Sequence, residues 1–383
     1  MIAREHAVAA SRVFDGVDLH DDAAVLIRGD RIAAVVARGE VPAAVPVRDL
    51  PDGAWLAPGF IDIQVNGGGD VLFNETPTPD GIRRIVAAHR RFGTTSLLPT
   101  LISDKQEKMQ AAIAAVETAM ATEPGVLGIH LEGPFLSAEK AGVHNPSAIR
   151  EPTVADLDLI TARRSGITLL TLAPECVPPD VIPKLVAAGV RVALGHSMAT
   201  YEQTTTAMAY GLTGFTHLFN AMRPLDAREG GPIAAALQSP AAWYGLIVDG
   251  VHVAPAMLKL ALRGAGRPIL VTDAMPPVGG TLPHFVLDGE TIEVRDRCCR
   301  RRDGKLAGAC LDMASAVRNC VRLLQVPLTT ALRFASAHPA EFLGVADRLG
   351  RIAPGYRADM VALDGSSIEV LATWVAGRRG GEA

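Results

Sequence analysis

VLGIHLEGPF, residues 126–135, decides how this chain is read. Its first half is a short, nearly continuous apolar run, the pattern of a strand buried on both faces. Its second half sets His130 and Glu132 at the strand's end, where Gly133-Pro134 stops it. An imidazole and a carboxylate are costly to bury unless they are paired or bind a metal. Two runs of the same kind precede it, APGFIDIQV (57–65) and TTSLLPTLI (94–102). Five follow: ITLLTLAPE (167–175), VRVALGHS (190–197), LTGFTHLFN (212–220), WYGLIVDGVHV (243–253) and RPILVTDA (267–274). Between them lie helical patterns such as KQEKMQAAIAAVETAMAT (105–122) and DVIPKLVAAGV (180–190). Buried strands alternating with amphipathic helices predict a parallel sheet covered on both faces. Eight such units over roughly 250 residues match a (β/α)8 barrel in number and length. A doubly wound open sheet is the competing fold, and it normally carries a GxGxxG turn after its first strand. Asn66-Gly67-Gly68-Gly69 follows the first run here but lacks that spacing, so it reads as a tight loop.

Outward from this middle, both ends of the chain turn β-rich. AAVLIRGDRIAAVVA (23–37) is two β-type runs around Gly29-Asp30, a hairpin turn signal. GRIAPGYRADMVAL (350–363) and IEVLATWVAGRR (368–379) carry apolar and β-branched runs broken by Gly, Pro and Asp. The expected architecture is α/β: a (β/α)8 TIM-like barrel over 56–345. A small β-sandwich domain is assembled from both termini, 1–55 and 346–383.

At 383 residues the chain exceeds what one core usually serves, which agrees with a large and a small domain. Hydrophobic residues make up 49% and charged residues 20%, as in a globular protein with a large buried core. A net charge of -4 leaves no basic excess to neutralise phosphates, so nucleic-acid and membrane partners are not expected. The densest basic run, Arg300-Arg301-Arg302 with Arg297 and Lys305 beside it, reads as a solvated loop. Five cysteines with no CxxC argue against a disulfide framework and for a reducing compartment. MIAREHAVAASRVFDG (1–16) has no uninterrupted apolar core and no stretch of 18 apolar residues occurs, so a cytoplasmic enzyme is the expectation.

Active-site groups of a (β/α)8 barrel come from the C-terminal ends of its strands. Those ends carry Asp62, Gln64 and Asn66; His130 and Glu132; His196; His217 and Asn220; Asp249 and His252; and Asp273. Four of the ten histidines fall at such ends. His196 and His217 close adjacent runs, and Glu132 closes a run two before them. Two imidazoles and a carboxylate make a three-ligand metal set that leaves a position for water, as catalytic rather than structural sites do. His130, two residues before Glu132, points to the same side a layer deeper and is read as a supporting or packing group. Asp273 is the candidate base, able to take a proton from water and return it to a leaving amine. Cys298-Cys299 lies in an Arg-rich stretch without a histidine nearby in sequence, and no Gly-x-Ser-x-Gly elbow exists. A nucleophilic mechanism is therefore not expected.

HLEGPF (130–135), GVHNP (142–146), LGHS (194–197), THLFNAM (216–222), DGVH (249–252) and VTDAM (271–275) together resemble the N-acetylglucosamine-6-phosphate deacetylase family of the amidohydrolase superfamily. APGFIDIQVNGGG (57–69), LAGACLDM (306–313), HPAEFLG (338–344) and the 350–363 tail extend the likeness over nearly the whole chain. The resemblance implies hydrolysis of N-acetylglucosamine 6-phosphate to glucosamine 6-phosphate and acetate. It implies Glu132, His196 and His217 as metal ligands and Asp273 as base and then acid. It implies His144 as the group that polarises the acetamide carbonyl. Asn220, Ala221, Arg228 and His252 would bind the sugar phosphate, and the main chain around Val143 and the Leu306-Ala307-Gly308 segment would line the sugar pocket. It also implies a homodimer in which one subunit can supply phosphate contacts to its neighbour. Standing alone, Arg228 in PLDAREGG (224–231) reads as a solvated loop charge.

One departure bears on the metal count. Many amidohydrolases carry His-x-His at the end of the first strand, where this chain has Gln64 and Asn66. Amides are poor ligands for zinc-like ions, so one divalent metal per subunit is expected. Zinc, iron, cobalt and manganese all suit the ligand set. The alternatives in function are a deacetylase of another sugar phosphate, such as N-acetylgalactosamine 6-phosphate, and a catalytically inactive sugar-phosphate sensor or scaffold. Asp70 and the Arg- and Cys-rich 294–302 segment receive no functional reading from sequence.

Overall fold

The eight apolar runs become eight barrel strands in the order read. They are β1 (Phe60–Val65), β2 (Thr94–Ile102), β3 (Gly128–Glu132), β4 (Ile167–Leu172), β5 (Arg191–Leu194), β6 (Gly214–Phe215), β7 (Trp243–Leu246) and β8 (Arg267–Leu270). Each strand hydrogen-bonds to the next, and β2 through β8 pair parallel. The ring closes through a parallel bridge of Val65 with Ala274, where the Asp273 N–H donates to the Gln64 carbonyl (3.0 Å). Every residue of β1, β2 and β3 is buried, as expected of strands covered on both faces. The structure is a computed structural model that describes residues 5–296 and 298–380, so Arg297 of the basic run lies outside the described residues.

By contact density the chain forms two compact units. One holds Ile63–Val86 and Leu97–Leu311; the other holds the described residues up to Asp62, Ala87–Ser96 and those from Asp312 onward. The helices Met313–Leu324, Leu328–Ala335 and Ala337–Leu343 therefore go with the chain ends in this division, whereas sequence patterning set the boundary at 345.

In the second unit the termini build one mixed sheet of eight strands. Trp55–Pro58 pairs antiparallel with Met360–Leu363 and parallel with Glu5–Phe14, which joins the two ends of the chain. The Leu19–Arg28 and Arg31–Ala37 hairpin turns at Gly29-Asp30. Val8, Val13, Val25, Ile27, Leu56, Met360 and Trp374 form its core.

The barrel unit contains a feature that sequence reading passed over. After β8 the chain makes a four-stranded antiparallel sheet: His284–Leu287, Glu290–Arg295, Cys298–Arg300 and Leu306–Ala309. Its inner face sets Phe285, Leu287, Ile292, Cys299 and Ala307 against Leu72, Ile102 and Met275. The Arg- and Cys-rich segment is thus largely strand. Arg301 pairs with Glu290 (2.6 Å) and Arg300 donates to the Gly304 carbonyl (2.9 Å). Asp70 also gains a role: its carboxylate accepts from the main-chain N–H groups of Thr281 and Leu282, each at 3.0 Å, and so fixes the approach to this sheet. No helix among the described residues is long and apolar enough to cross a membrane.

Candidate active site

Where the fifth, sixth and eighth strands end, the backbone turns left-handed at a non-glycine residue: His196 (φ 48°), His217 (φ 33°) and Asp273 (φ 50°). Such residues are uncommon and concentrate at functional sites, where the surroundings must hold them. Main-chain bonds do so here. The carbonyls of His196, His217 and Asp273 accept from the N–H groups of Ser137 (2.9 Å), Asn220 (2.9 Å) and Ala309 (3.0 Å). Gly195 is also required, because a Cβ there would lie 2.6 Å from Thr171 Cγ2 and 3.0 Å from Thr216 Cβ.

Glu132, His196 and His217 converge. Glu132 Oε1 lies 3.0 Å from His196 Nε2 and 2.9 Å from His217 Nε2, and the two Nε2 atoms are 3.1 Å apart. All three residues are buried. Burial alone would raise the Glu132 carboxyl, but the two imidazoles outweigh it and hold it well below the usual carboxylate range. His196 Nδ1 sits 2.7 Å from the Lys140 carbonyl, which only accepts, so the ring hydrogen is on Nδ1 and Nε2 offers its lone pair. His217 Nδ1 is buried without a hydrogen-bond partner among the described residues.

Gln64 and Asn66, read in sequence as missing ligands, are donors to carboxylates. Gln64 Nε2 donates to both Glu132 oxygens (3.2 and 3.3 Å) and to Asp273 Oδ1 (3.1 Å), and Asn66 Nδ2 donates to the same Asp273 oxygen (2.7 Å). One amide therefore sits between two carboxylates, and Asp273 Oδ1 is occupied while Oδ2 stays free of these bonds. Burial and the Glu132 charge push the Asp273 carboxyl up, against the opposing pull of His217, His252 and the Asn66 amide.

His144 is held through a bond that sequence could not show. The Ser103 N–H donates to His144 Nδ1 (3.1 Å), so Nδ1 is the acceptor and Nε2 carries the hydrogen. Burial and the nearby His196 depress its basicity well below the ordinary imidazole value, so the ring is a neutral donor. His130 lies a layer deeper, bonded to Thr100 (3.3 Å) and Thr171 (2.7 Å), and burial lowers its pKa to about 4. It supports the barrel interior and stands apart from the converging trio.

These groups open on a pocket of about 170 Å³. Glu132, Val143, His144, His196, His217, Asn220, Ala221, His252, Asp273, Leu306 and Gly308 line it, joined by Asn66, Ile102, Gly142 and Met275. Two residues named from sequence lie elsewhere. Ala307 is fully buried and packs into the core of the inserted sheet, because strand alternation turns it away from its neighbours Leu306 and Gly308. Arg228 is exposed and is absent from the lining of this chain's own pocket.

The pattern that defines the amidohydrolase family matches residues 55–382. The chain belongs to the amidohydrolase family. Among curated relatives, an N-acetylgalactosamine-6-phosphate deacetylase of Shewanella sp. (strain ANA-3) is 45% identical over 84% of this chain and 82% of its own length. An N-acetylglucosamine-6-phosphate deacetylase of Haemophilus influenzae is 34% identical over 98% of this chain and 99% of its own. Among solved structures, an N-acetylglucosamine-6-phosphate deacetylase from Pasteurella multocida superposes with a TM-score of 0.95 at 35% identity, covering 99% of this chain and 100% of that one.

The donor set of this amidohydrolase fits a divalent metal. Three ligand atoms turn on one point, with edges of 2.9 to 3.1 Å. Around a tetrahedral ion with bonds of about 2.0–2.1 Å those edges would be about 3.3 Å, within a small adjustment. Two imidazoles that bring their Nε2 atoms to 3.1 Å gain little from each other, and a cation between them and a carboxylate accounts for the approach.

Proposed function

We propose that this chain hydrolyses the acetamide of an N-acetylhexosamine 6-phosphate, with N-acetylglucosamine 6-phosphate as substrate and glucosamine 6-phosphate and acetate as products. The observation that carries the reading is the placement of Asp273, tethered by neutral amides through one oxygen, on the wall it shares with a three-ligand metal set. Glu132, His196 and His217 would hold one divalent ion, zinc first among zinc, iron, cobalt and manganese. Such an ion acidifies water and polarises a carbonyl.

The chain's own residues do the rest. Asp273 takes a proton from the attacking water through Oδ2, and the new C–O bond forms at the acetamide carbon. His144 donates its Nε2–H to the carbonyl oxygen as charge builds there, a donor that needs no reorganisation because Ser103 already fixes the ring. Asp273 then gives its proton to the amide nitrogen as the C–N bond breaks and the amine leaves. Gln64 and Asn66 favour a single ion, since their amides already serve the carboxylates with which a second ion would need to pair. Asn220, Ala221, His252, Val143, Leu306 and Gly308 form the sugar-phosphate pocket in this reading. Arg228, exposed on its loop, suits a phosphate contact made to a second copy in a homodimer. The compartment proposed is the cytoplasm.

A second reading is deacetylation of N-acetylgalactosamine 6-phosphate, favoured by the 45% identity to the Shewanella deacetylase. The test is acetate and free amine released from both sugar phosphates by chelator-treated protein reloaded with each metal in turn. Metal-dependent acetate release is expected, faster from the gluco epimer. Faster release from the galacto epimer would move the assignment to the second reading, and no release from either with any metal would overturn the function.

A further inference from the structure

We propose that Asp249 is a positioning residue for the phosphate end of the substrate, holding His252 as the anchor that this chain itself places on the pocket wall. The inference rests on the sugar-phosphate reading above.

A dianionic phosphate needs cations or strong donors. No lysine or arginine belongs to the described lining of the pocket. Four imidazoles do: His144, His196, His217 and His252. His196 and His217 turn their Nε2 atoms to Glu132 and to each other. His144 accepts a main-chain hydrogen on Nδ1, which keeps it neutral. His252 is left, and it alone among them is bonded to a carboxylate outside the trio. Its Nδ1 lies 2.6 Å from Asp249 Oδ2.

The Asp249 carboxylate is itself fixed. Oδ1 accepts from the main-chain N–H groups of Val251 and His252, both at 2.8 Å. Gly250, at φ 76°, supplies the left-handed turn that brings residue 249 back over residue 252. The pair is largely shielded, with side-chain exposures of 15% for Asp249 and 9% for His252. Burial would raise the Asp249 carboxyl, but its hydrogen bond to His252 and its two main-chain donors leave it below the ordinary value, so it remains an anion. A carboxylate at Nδ1 takes up the Nδ1 hydrogen and leaves Nε2, at the opposite edge of the ring, for the phosphate, to which it donates as an imidazolium whose charge Asp249 balances. Asp249 thereby fixes the aim of His252. The competing role for such a dyad is proton transfer in the chemical step, and that would appear in kcat with any substrate.

The test compares Asp249→Asn with the wild type on N-acetylglucosamine 6-phosphate and on N-acetylglucosamine, with the metal-loaded enzyme. Loss of one charge-assisted hydrogen bond predicts a KM for the phosphorylated sugar raised about 10- to 100-fold, kcat moving far less, and little change in KM for the unphosphorylated sugar. His252→Gln must show the same split, and adding Asp249→Asn to it must cost little more, because the two act as a unit. Should Asp249→Asn fold poorly, Asp249→Glu serves in its place, with a smaller rise in the same KM ratio. Equal effects on both sugars, a fall confined to kcat, or additive losses in the double variant would overturn the role of Asp249. A wild type that deacetylates both sugars with the same KM would overturn the sugar-phosphate reading and this inference together.

Discussion

Asp156 and Glu132 are both buried carboxylates of the barrel unit, and both are held below the ordinary carboxylate range, yet by opposite means. Burial would raise Asp156, but Arg150 and Thr153 outweigh it. Arg150 Nη2 donates to one oxygen (2.7 Å) and Nη1 to the other, while the Thr153 N–H (2.9 Å) and hydroxyl (2.7 Å) complete the set. Those bonds close a capping box on the helix Val154–Thr161. Glu132 faces two imidazoles and an amide and has no guanidinium partner among the described residues. The first carboxylate has given its charge to a fixed cation and serves stability. The second keeps partners that can turn to a metal. A depressed carboxyl is therefore no sign of function by itself; the chemistry of its partners decides.

The sharpest way to break this contrast is at the mouth of the barrel. Asp273→Asn should lower turnover by about three orders of magnitude, the scale of a lost general base, with the thermal midpoint nearly unchanged. Normal acetate release from that variant would remove Asp273 from the proton path. The opposite pattern is expected of Asp156→Asn. Arg150 is 30% exposed, so the loss is put at about 2 kcal/mol of unfolding free energy, below that of a sealed pair, with turnover per folded molecule intact. Its pH dependence has a definite sign. The folded carboxyl is depressed, so its stabilisation is complete above the unfolded pKa of about 3.9 and fades as pH falls through the folded value. The gap between wild type and variant in denaturant titrations should accordingly narrow at acid pH and stay constant near neutrality. The smallest effect sharpens the contrast from within the site. Gln64→Leu removes the amide between Glu132 and Asp273 and should cost about tenfold in kcat with KM little moved, as one hydrogen bond to charged groups is worth. A change in KM alone would assign Gln64 to substrate binding.

Much of this was legible in the sequence because barrel strands are local signals. TTSLLPTLI coincides with β2 residue for residue, and the ends of β3, β5, β6 and β8 carry the groups that converge. The inserted sheet was legible in principle. Phe285 and Leu287 alternate inward around Asp288-Gly289, both at positive φ, a hairpin turn signal masked by the Arg-rich stretch that follows. Other features depend on partners far along the chain. Nothing near Gln64 shows that Glu132 and Asp273 lie on either side of its amide. Nothing near His144 shows that the Ser103 N–H sets its tautomer. The left-handed backbone at His196, His217 and Asp273 defies residue preference and exists because the surrounding main-chain bonds impose it. That the Ala307 side chain turns into the core of the inserted sheet, between Leu306 and Gly308 on the pocket wall, follows from strand direction at 306–309, which depends on that sheet.

Metal content per chain, measured for wild type, Glu132→Gln and Asp273→Asn after chelation, reloading and washing, tests the central claim most directly. The account predicts one ion in the wild type, close to none in Glu132→Gln, and one in Asp273→Asn. Two ions in the wild type, or an ion retained in full by Glu132→Gln, would contradict it.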